Sequence, residues 1–334
     1  MTPSCHSRRR LLQAVAAASL PLWIPRSARA ALSPDRPIRV VVPFPAGGTL
    51  DVLVRLVTQS MGQTLGQPFM VENRPGAGTV IGTDVVAKAP ADGHTLLAIS
   101  NSFTINPALR SDLPFDAVRD FKPLGLMAGT PLVLCAKVAT PEISLPTIAA
   151  LLKTHPDALA YASTGNATLP HLMGEVLNTR LGAKMVHVPF NGSPDALNAL
   201  AAGTVDIGFG LLPDVLPLVR AGRIRALGVA CARRAAQAPE IPTLREALPS
   251  LDVAAQVWFA LVAPSGVPDA VMQTLEQALT RSLAQPEVQA TMAARGYDAG
   301  GRGSGSGSAA LQRLLAAESS RYASVIRQAN IKLN

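Results

Sequence analysis

The residues of this sequence that could bind a small anion lie in short loops rich in glycine, serine and threonine. Residues 39–51, RVVVPFPAGGTLD, contain a β-branched run typical of a strand, a turn with two glycines, and Thr49 at the start of a helical pattern. The first N–H groups of a helix have no partner within the helix, and the helix dipole adds positive charge there. Because glycine has no Cβ, a ligand can approach this backbone closely. The pattern therefore predicts an anion-binding helix N-terminus.

Three further loops have a similar composition and a similar position in the chain. Residues 76–82 and 163–168 each stand close to a predicted strand and precede a predicted helix, and residues 100–102 follow the strand predicted near 95–99 and begin a stretch predicted to be irregular. Ligands of open α/β sheets bind beyond the carboxyl ends of the strands, where such loops lie. N–H and O–H donors without clustered arginines suit a carboxylate, although each loop by itself could be an ordinary turn. The candidate ligand-binding residues of the four loops are Ala46, Gly47, Gly48, Thr49, Asp51, Gly78, Thr79, Ser102, Ser163, Thr164, Gly165, Asn166 and Thr168.

Nucleotide binding and catalysis have little support in the sequence. The glycines of residues 76–82 depart from the G-x-G-x-x-G pattern, and no G-x-x-x-x-G-K-[ST] motif occurs. The histidines His94, His155, His171 and His187 are dispersed without metal-ligand spacing, and no G-x-S-x-G motif presents a serine nucleophile. We interpret His171, at a predicted helix start, as a structural histidine. The sequence therefore predicts no catalytic residues, no metal and no cofactor.

The first 30 residues have the organisation of an export signal. Residues 7–13, SRRRLLQ, are followed by an apolar stretch to Ile24 and by Ala28, Arg29 and Ala30, which match an A-x-A cleavage site. We expect cleavage after Ala30. The paired arginines favour a twin-arginine signal, and an ordinary secretory signal is the alternative. The apolar stretch is shorter than the about 20 residues that a membrane-spanning helix needs.

Most of the excess positive charge belongs to this signal. The formal net charge of the chain is +8, and residues 1–30 contain five arginines and no acidic residue, which leaves +3 for the mature chain. No segment of the mature chain concentrates Lys and Arg with interleaved aromatic residues, so nucleic-acid binding is not expected. The 334 residues, 48% of them hydrophobic, are sufficient for a large core and two domains.

Hydrophobic periodicity predicts two successive series of strands and helices. The strands lie near residues 39–42, 69–71 and 95–99 in the first series, and near 159–162, 185–188, 205–209 and 225–230 in the second. Such alternation is typical of parallel sheets covered by helices. Residues 124–138 and 253–263 are long apolar runs that could pass from one domain to the other. Cys135 and Cys231 lie within apolar runs and are predicted to be buried in strands, with a disulfide between them left open.

A longer set of motifs resembles one known family. The motifs are VPFPAGGTLD (42–51), ENRPGAG (72–78), ADGHTLL (91–97), STGNATLPHL (163–172), HVPFNG (187–192), AGRIRAL (221–227) and IPTLREA (241–247). In residue type and order they resemble the substrate-binding receptors of tripartite tricarboxylate transporters, the Bug-type extracytoplasmic solute receptors. The resemblance extends over essentially the whole mature chain.

This resemblance implies a fold, a function and a location. The implied fold is α/β of the periplasmic binding protein type II kind, with two α/β domains, a hinge and a central ligand cleft. The implied domains are residues 31–136 plus 257–334 and residues 137–256. Such a receptor is periplasmic, closes over a small organic carboxylate and delivers it to the membrane permease subunits of a tripartite tricarboxylate transporter. We expect a monomer without enzymatic activity.

The resemblance also adds two positions to the candidate site. Members of the family often carry a tyrosine where this chain has Phe190 and an acidic residue where it has Gly210. An acid at position 210 would suit a ligand with an amine, so its absence favours simple mono- or dicarboxylates over amino acids. Two alternatives remain open: a ligand-sensing receptor for a membrane signalling system, and a secreted enzyme that uses the same cleft.

Overall fold

The structure is a computed structural model that describes residues 32–138, 143–251, 253–299, 307–328 and 331. The predicted export signal, with its cleavage site after Ala30, lies outside the described residues. Among the described helices, none is both long and apolar enough to cross a membrane.

The ten strands of the described chain form one continuous set of pairings. They are β1 (Ile38–Val42), β2 (Phe69–Asn73), β3 (Thr95–Ile99), β4 (Phe121–Lys137), β5 (Ala160–Ser163), β6 (Val186–Pro189), β7 (Ile207–Leu211), β8 (Ile224–Val229), β9 (Gln256–Pro264) and β10 (Asp298–Ala299). Their order is β2-β1-β3-β9-β4-β7-β5-β6, and β8 and β10 both pair with β4. Strands β1, β2 and β3 are parallel, and so are β5, β6 and β7. These two parallel sets confirm the α/β class that the sequence predicts.

Strand β4 is shared by the two parallel sets. Residues 121–131 of β4 pair antiparallel with β9, and residues 132–136 pair antiparallel with β7. Strand β9 is in turn antiparallel to β3. The long apolar run of the sequence is thus one strand that contributes to both sets. We call the set around β1, β3 and β9 the first half of the sheet, and the set around β5, β7 and β8 the second half.

Helices follow most of the strands. They are α1 (Thr49–Leu65), α2 (Val80–Ala87), α3 (Ser102–Leu109), α4 (Leu145–Thr154), α5 (Leu169–Leu181), α6 (Ser193–Ala201), α7 (Leu212–Arg220), α8 (Leu244–Ala247), α9 (Asp269–Leu283), α10 (Pro286–Ala294) and α11 (Ser308–Gln328), with a 3-10 turn at Ala77–Thr79. In α1, Leu53, Val57 and Met61 recur at helical spacing and are fully buried. The helix ends at Gly66, whose φ of 65° is left-handed and suits glycine.

The hydrophobic core follows the sheet. One cluster lies within the first half and includes Val41, Leu97 and Ala260. A second lies within the second half and includes Leu197 and Val215. The largest cluster contains buried residues of both halves. The sheet therefore gives both halves a packed base, and the loops at the carboxyl ends of the parallel strands are anchored on it.

The two cysteines differ from each other in position. Cys135 is buried within β4, as predicted, and forms no disulfide. The prediction of a buried strand position is wrong for Cys231, which lies beyond the end of β8 and is partly exposed. The Ala230 N–H makes a last bond to the Leu132 carbonyl of β4, and the Ala230 carbonyl accepts the Ala255 N–H, so the strand pairing ends just before Cys231.

Candidate functional site

The loops that follow the parallel strands surround two adjoining cavities. The first, which we call the buried cavity, has a volume of about 50 Å³. Its polar or glycine lining residues are Gly48, Thr49, Ser100, Asn101, Thr164, Thr168, Ser193 and Asp214. The second, which we call the loop cavity, has a volume of about 200 Å³. It is lined on one side by Gly76, Ala77, Gly78, Thr79 and Arg110, and on the other by Thr164, Gly165, Asn166, Phe190 and Asn191.

Four helices begin at the buried cavity. Helix α1 contributes Gly48 and Thr49, α5 contributes Thr168, α6 contributes Ser193 and α7 contributes Asp214. First-turn N–H groups lack a partner within their helix, and the four dipoles add their positive ends. Pro170, Pro194 and Pro213 stand in the first turns of α5, α6 and α7 and have no N–H, so the other first-turn residues supply the donors. No Lys, Arg or His is among the described residues that line this cavity. Its attraction for an anion therefore comes from the backbone, as the sequence predicts for α1.

Asp51 supports the loop before α1 from behind. Its carboxylate accepts hydrogen bonds from the Gly47 N–H at 2.9 Å and the Asn73 amide at 2.9 Å, and it pairs with Arg55 at 3.0 Å. These donors lower the pKa of Asp51, against burial, which is the largest single influence and raises it. Asp51 lines neither cavity, and instead it fixes the position of the Gly47 backbone. Ala46, beside it, is exposed to solvent.

The loop before α5 is held by its own hydroxyl groups. Thr168 donates to the Gly165 carbonyl at 2.7 Å and accepts from Thr164 at 3.2 Å. Ser163 is fully buried, lines neither cavity, and accepts the Gly165 N–H at 3.2 Å. These hydroxyls shape the turn, which leaves the backbone N–H groups at the start of α5 as its donors toward the cavity.

Two histidines lie beneath this same loop. His171 and His187 are 16 residues apart in the sequence, but their rings stack at 4.2 Å, and the His187 ring also stacks on Tyr161 at 4.8 Å. His171 accepts the Ala167 N–H at 3.3 Å, and His187 contacts the Ser163 hydroxyl at 2.7 Å. Burial lowers the pKa of both rings, that of His187 to about 3. His171 and His187, although far apart in the sequence, thus form one stack of neutral rings that supports the loop.

The loop cavity lies where loops of the two halves meet. A Cβ built on Gly78 would lie 2.2 Å from the Asn166 carbonyl oxygen, so the two backbones touch. The three non-glycine residues of the described chain with positive φ are Ala77, Thr79 and Ala167, all of them in these loops. Left-handed backbone at such residues is strained and is typical of functional sites. On the first side, Thr79 also contacts Ser102 at 3.3 Å; Ser102 lines neither cavity.

Position 210 has a structural role different from the one that the sequence suggests. Gly210 lies in β7 and lines neither cavity, and a Cβ there would meet Val215 at 2.6 Å and Leu197 at 3.1 Å. A side chain at this position would enter the packing between β7 and α6 and α7. Asp214, in the next element, lines the buried cavity, so the absence of an acid at position 210 does not leave this cavity without one.

Six polar residues at the cavities are absent from the predicted site residues. They are Ser100, Asn101, Ser193 and Asp214 at the buried cavity and Arg110 and Asn191 at the loop cavity. Ser193 and Asp214 each stand in the first turn of a helix that directly follows a strand or its turn, which is the signal used for Thr49. Arg110 follows α3, and its Nε donates to Asn106 at 3.1 Å. No sequence signal links Arg110 to the other loops, because only the folded chain brings α3 beside them.

The remaining predicted residues fall at the cavities in two groups. Gly48, Thr49, Thr164 and Thr168 line the buried cavity, and Gly78, Thr79, Thr164, Gly165, Asn166 and Phe190 line the loop cavity. Gly47 lines a third, more open cavity of about 460 Å³ beside α7. Within the described residues, no group of three or more His, Cys, Asp or Glu side chains is arranged to hold a metal ion.

Comparison with known proteins identifies similar chains. The sequence model of the "Tripartite tricarboxylate transporter family receptor" matches residues 53–331. The structure of MatC from Rhodopseudomonas palustris with bound malate is 33% identical, with a TM-score of 0.82, over 88% of this chain and all of that one. The periplasmic binding protein BugD is 29% identical, with a TM-score of 0.84, over 90% and 99%. An R. palustris protein solved with adipate is 30% identical, with a TM-score of 0.84, over 90% and 99%.

Proposed function

The chain belongs to the receptors of the tripartite tricarboxylate transporter family, and from this premise we propose that it binds a small organic carboxylate in the buried cavity. The fold is that of the periplasmic binding proteins. The observation that carries the proposal is the meeting of four helix N-termini at one small cavity without a cationic side chain among its described lining residues. A carboxylate is satisfied by a few aligned N–H groups, whereas a nucleotide is far larger than this space.

The ligand would be held between the two halves of the sheet. Helix α1 belongs to the first half, and α5, α6 and α7 follow strands of the second half. A carboxylate that accepts N–H groups from both sides stabilises the closed arrangement more than the open one, which is how a ligand drives hinge closure. The contact of Gly78 with Asn166 and the approach of Gly192 to Pro45 are what such a closed arrangement requires.

We propose that the two halves are two domains joined by a hinge. The domains would be residues 31–136 plus 257–334 and residues 137–256. The change of partner of β4, from β9 to β7 after residue 131, supports this division. The second crossing would be the segment before β9, which bonds to the second half through Ala255 and Ala230.

The remaining parts of the proposal concern location, partners and catalysis. We propose an exported, periplasmic monomer, cleaved after Ala30, that delivers its ligand to the membrane permease subunits of a tripartite tricarboxylate transporter. The malate and adipate bound in two of the similar structures support a carboxylate as the cargo. A non-catalytic role is supported by membership of a receptor family. Ligand sensing for a membrane signalling system is the alternative use of the same closure.

A thermal-shift screen of the mature protein tests the proposal. Carboxylic acids are compared with the corresponding amides and with nucleotides. A ligand that binds only the folded state, present at 100 times its dissociation constant, adds about 2.7 kcal/mol to the free energy of unfolding. For a protein of this size that raises the melting temperature by about 5–10 °C. Shifts by carboxylic acids and not by their amides are expected, and shifts by amides or nucleotides without any by carboxylic acids would contradict the proposal.

A further inference from the structure

Asp214 is an acidic side chain inside a cavity that otherwise suits an anion. It stands in the first turn of α7 and lines both the buried cavity and the third cavity. The residue as a whole is partly exposed, but its Oδ2 atom is inaccessible to solvent. No ion pair among the described residues involves Asp214. Burial raises the pKa of its carboxyl, more than the neighbouring Thr49 and Ser193 groups lower it. An acid in this environment is costly for the fold unless it has a partner.

Two hydroxyl groups share this environment. Thr49, at the start of α1, is 3% exposed, and Ser193, at the start of α6, is 8% exposed. Hydrogen bonds from the Thr49 side chain and backbone and from the Ser193 side chain lower the pKa of Asp214, yet Thr49 Oγ1, Ser193 Oγ and Asp214 Oδ2 complete none of good geometry. Three buried polar atoms from three helices therefore meet at one cavity with imperfect hydrogen bonds to each other, and a well-placed ligand group could improve them.

The chemistry of these atoms defines the ligand group that would satisfy them. A carboxylate such as Asp214 accepts hydrogen bonds and repels a second carboxylate, whereas a hydroxyl or ammonium group donates to it. Thr168 and the start of α5 line the same cavity, and a helix N-terminus suits an anion. With a volume of about 50 Å³, the cavity leaves little distance between these groups and Asp214. A ligand that satisfies both carries its donor on the carbon next to its carboxylate.

We propose that Asp214 makes this receptor selective for carboxylic acids with a 2-hydroxyl or 2-amino group. The carboxylate binds at the helix N-termini, and the 2-substituent donates a hydrogen bond to Asp214, with Thr49 and Ser193 beside it. The inference deepens the proposed function and rests on it. It reverses the expectation drawn from Gly210, since the acid that position 210 lacks is supplied by Asp214.

Isothermal titration with matched acids tests this selectivity. The probes are L-malate, L-aspartate and succinate, and the longer set 2-hydroxyadipate, 2-aminoadipate and adipate. They are titrated into the wild-type protein, Asp214→Asn, and the control Asp195→Asn, whose carboxylate is in the first turn of α6 but is exposed. In at least one set, we expect the wild type to bind a substituted acid at least about tenfold more tightly than the plain one. Asp214→Asn should reduce this preference to about threefold or less, and Asp195→Asn should retain it.

The outcomes separate this inference from the proposed function. If plain acids bind the wild type as tightly as substituted ones, the role of Asp214 is refuted while the carboxylate receptor stands. If Asp214→Asn keeps the full preference for substituted acids, the role of Asp214 is refuted as well. Because the comparison of acids on the wild type needs no variant, a folding defect in Asp214→Asn leaves that test intact. Failure of every carboxylic acid in the wider thermal-shift screen would contradict the proposed function itself.

Discussion

The contact between Gly78 and Asn166 gives a sharp test of closure between the two halves. In the structure a Cβ at Gly78 would lie 2.2 Å from the Asn166 carbonyl oxygen, and ordinary contact begins near 3.4 Å. Gly78→Ala must therefore push the two loops apart. Because Gly78 has a φ of 63°, alanine there also carries the cost of left-handed backbone, about 1–2 kcal/mol.

Gly182→Ala is a matched control for this variant. Gly182 ends α5 with a φ of 64°, and a Cβ there has nothing within 4 Å. Both variants carry the same backbone cost, and only Gly78→Ala adds the collision with Asn166. Both should lower the free energy of unfolding of the unliganded protein, measured by urea denaturation, by about 1–2 kcal/mol. An open arrangement relieves the collision, so the difference between them should appear mainly in ligand binding.

Isothermal titration with the acid that stabilises the wild type most is the deciding assay. We expect Gly78→Ala to weaken binding at least about tenfold, which corresponds to about 1.4 kcal/mol, and Gly182→Ala to change it by about twofold or less. Far-UV circular dichroism should be unchanged in both. Equal dissociation constants for the two variants would refute the inference that the ligand-bound state needs these loops in contact.

Three other variants test separate parts of the site. Thr168→Val removes the hydrogen bond to the Gly165 carbonyl and should abolish the ligand-induced thermal shift. The control Thr179→Val, which removes an exposed hydroxyl hydrogen bond in the same helix, should retain the shift. Equal shifts in the two variants would contradict the role of the loop. Among the described residues that line the loop cavity, Arg110 is the cation. Arg110→Met should therefore weaken the binding of dicarboxylates about tenfold more than the binding of monocarboxylates in titrations. An equal loss of affinity for both classes would argue against a second carboxylate there. The pKa of His187 is lowered from 6.5 to about 3, so below pH 6.5 this ring binds a proton in the unfolded chain but not in the folded chain. Stability should fall toward pH 3, by about 1 kcal/mol or less per pH unit after solvent screening, and His187→Gln should flatten this urea-denaturation profile.

The sequence was most informative where local chemistry determines the structure. The strand, glycine turn and helix start around Thr49 form as predicted, because β-branched residues, glycine and a helical pattern each act through neighbouring residues. The run that became β4 was also recognisable, since a strand buried along its length needs an unbroken apolar stretch. The pairing of that one strand with both halves is a tertiary property that no local pattern encodes.

The prediction was weakest for side chains whose roles depend on distant partners. The hydroxyls of Ser163 and Thr168 could be assigned to a loop, but not to bonds within the loop instead of toward a ligand. The stacking of His171 on His187 required β6 to lie beside β5. Position 210 is close to Asp214 in the sequence, but it packs away from the cavities, whereas Asp214 lines the buried cavity. In each case the three-dimensional neighbour decided the role.

A crystal structure of the mature protein with its most stabilising carboxylic acid would show directly where the ligand binds. We expect the ligand carboxylate in the buried cavity, between the start of α1 at Gly48 and Thr49 and the start of α5 at Thr168, with hydrogen bonds from backbone N–H groups of both. A ligand bound outside this cavity, or held by one half of the sheet alone, would refute the proposed binding site.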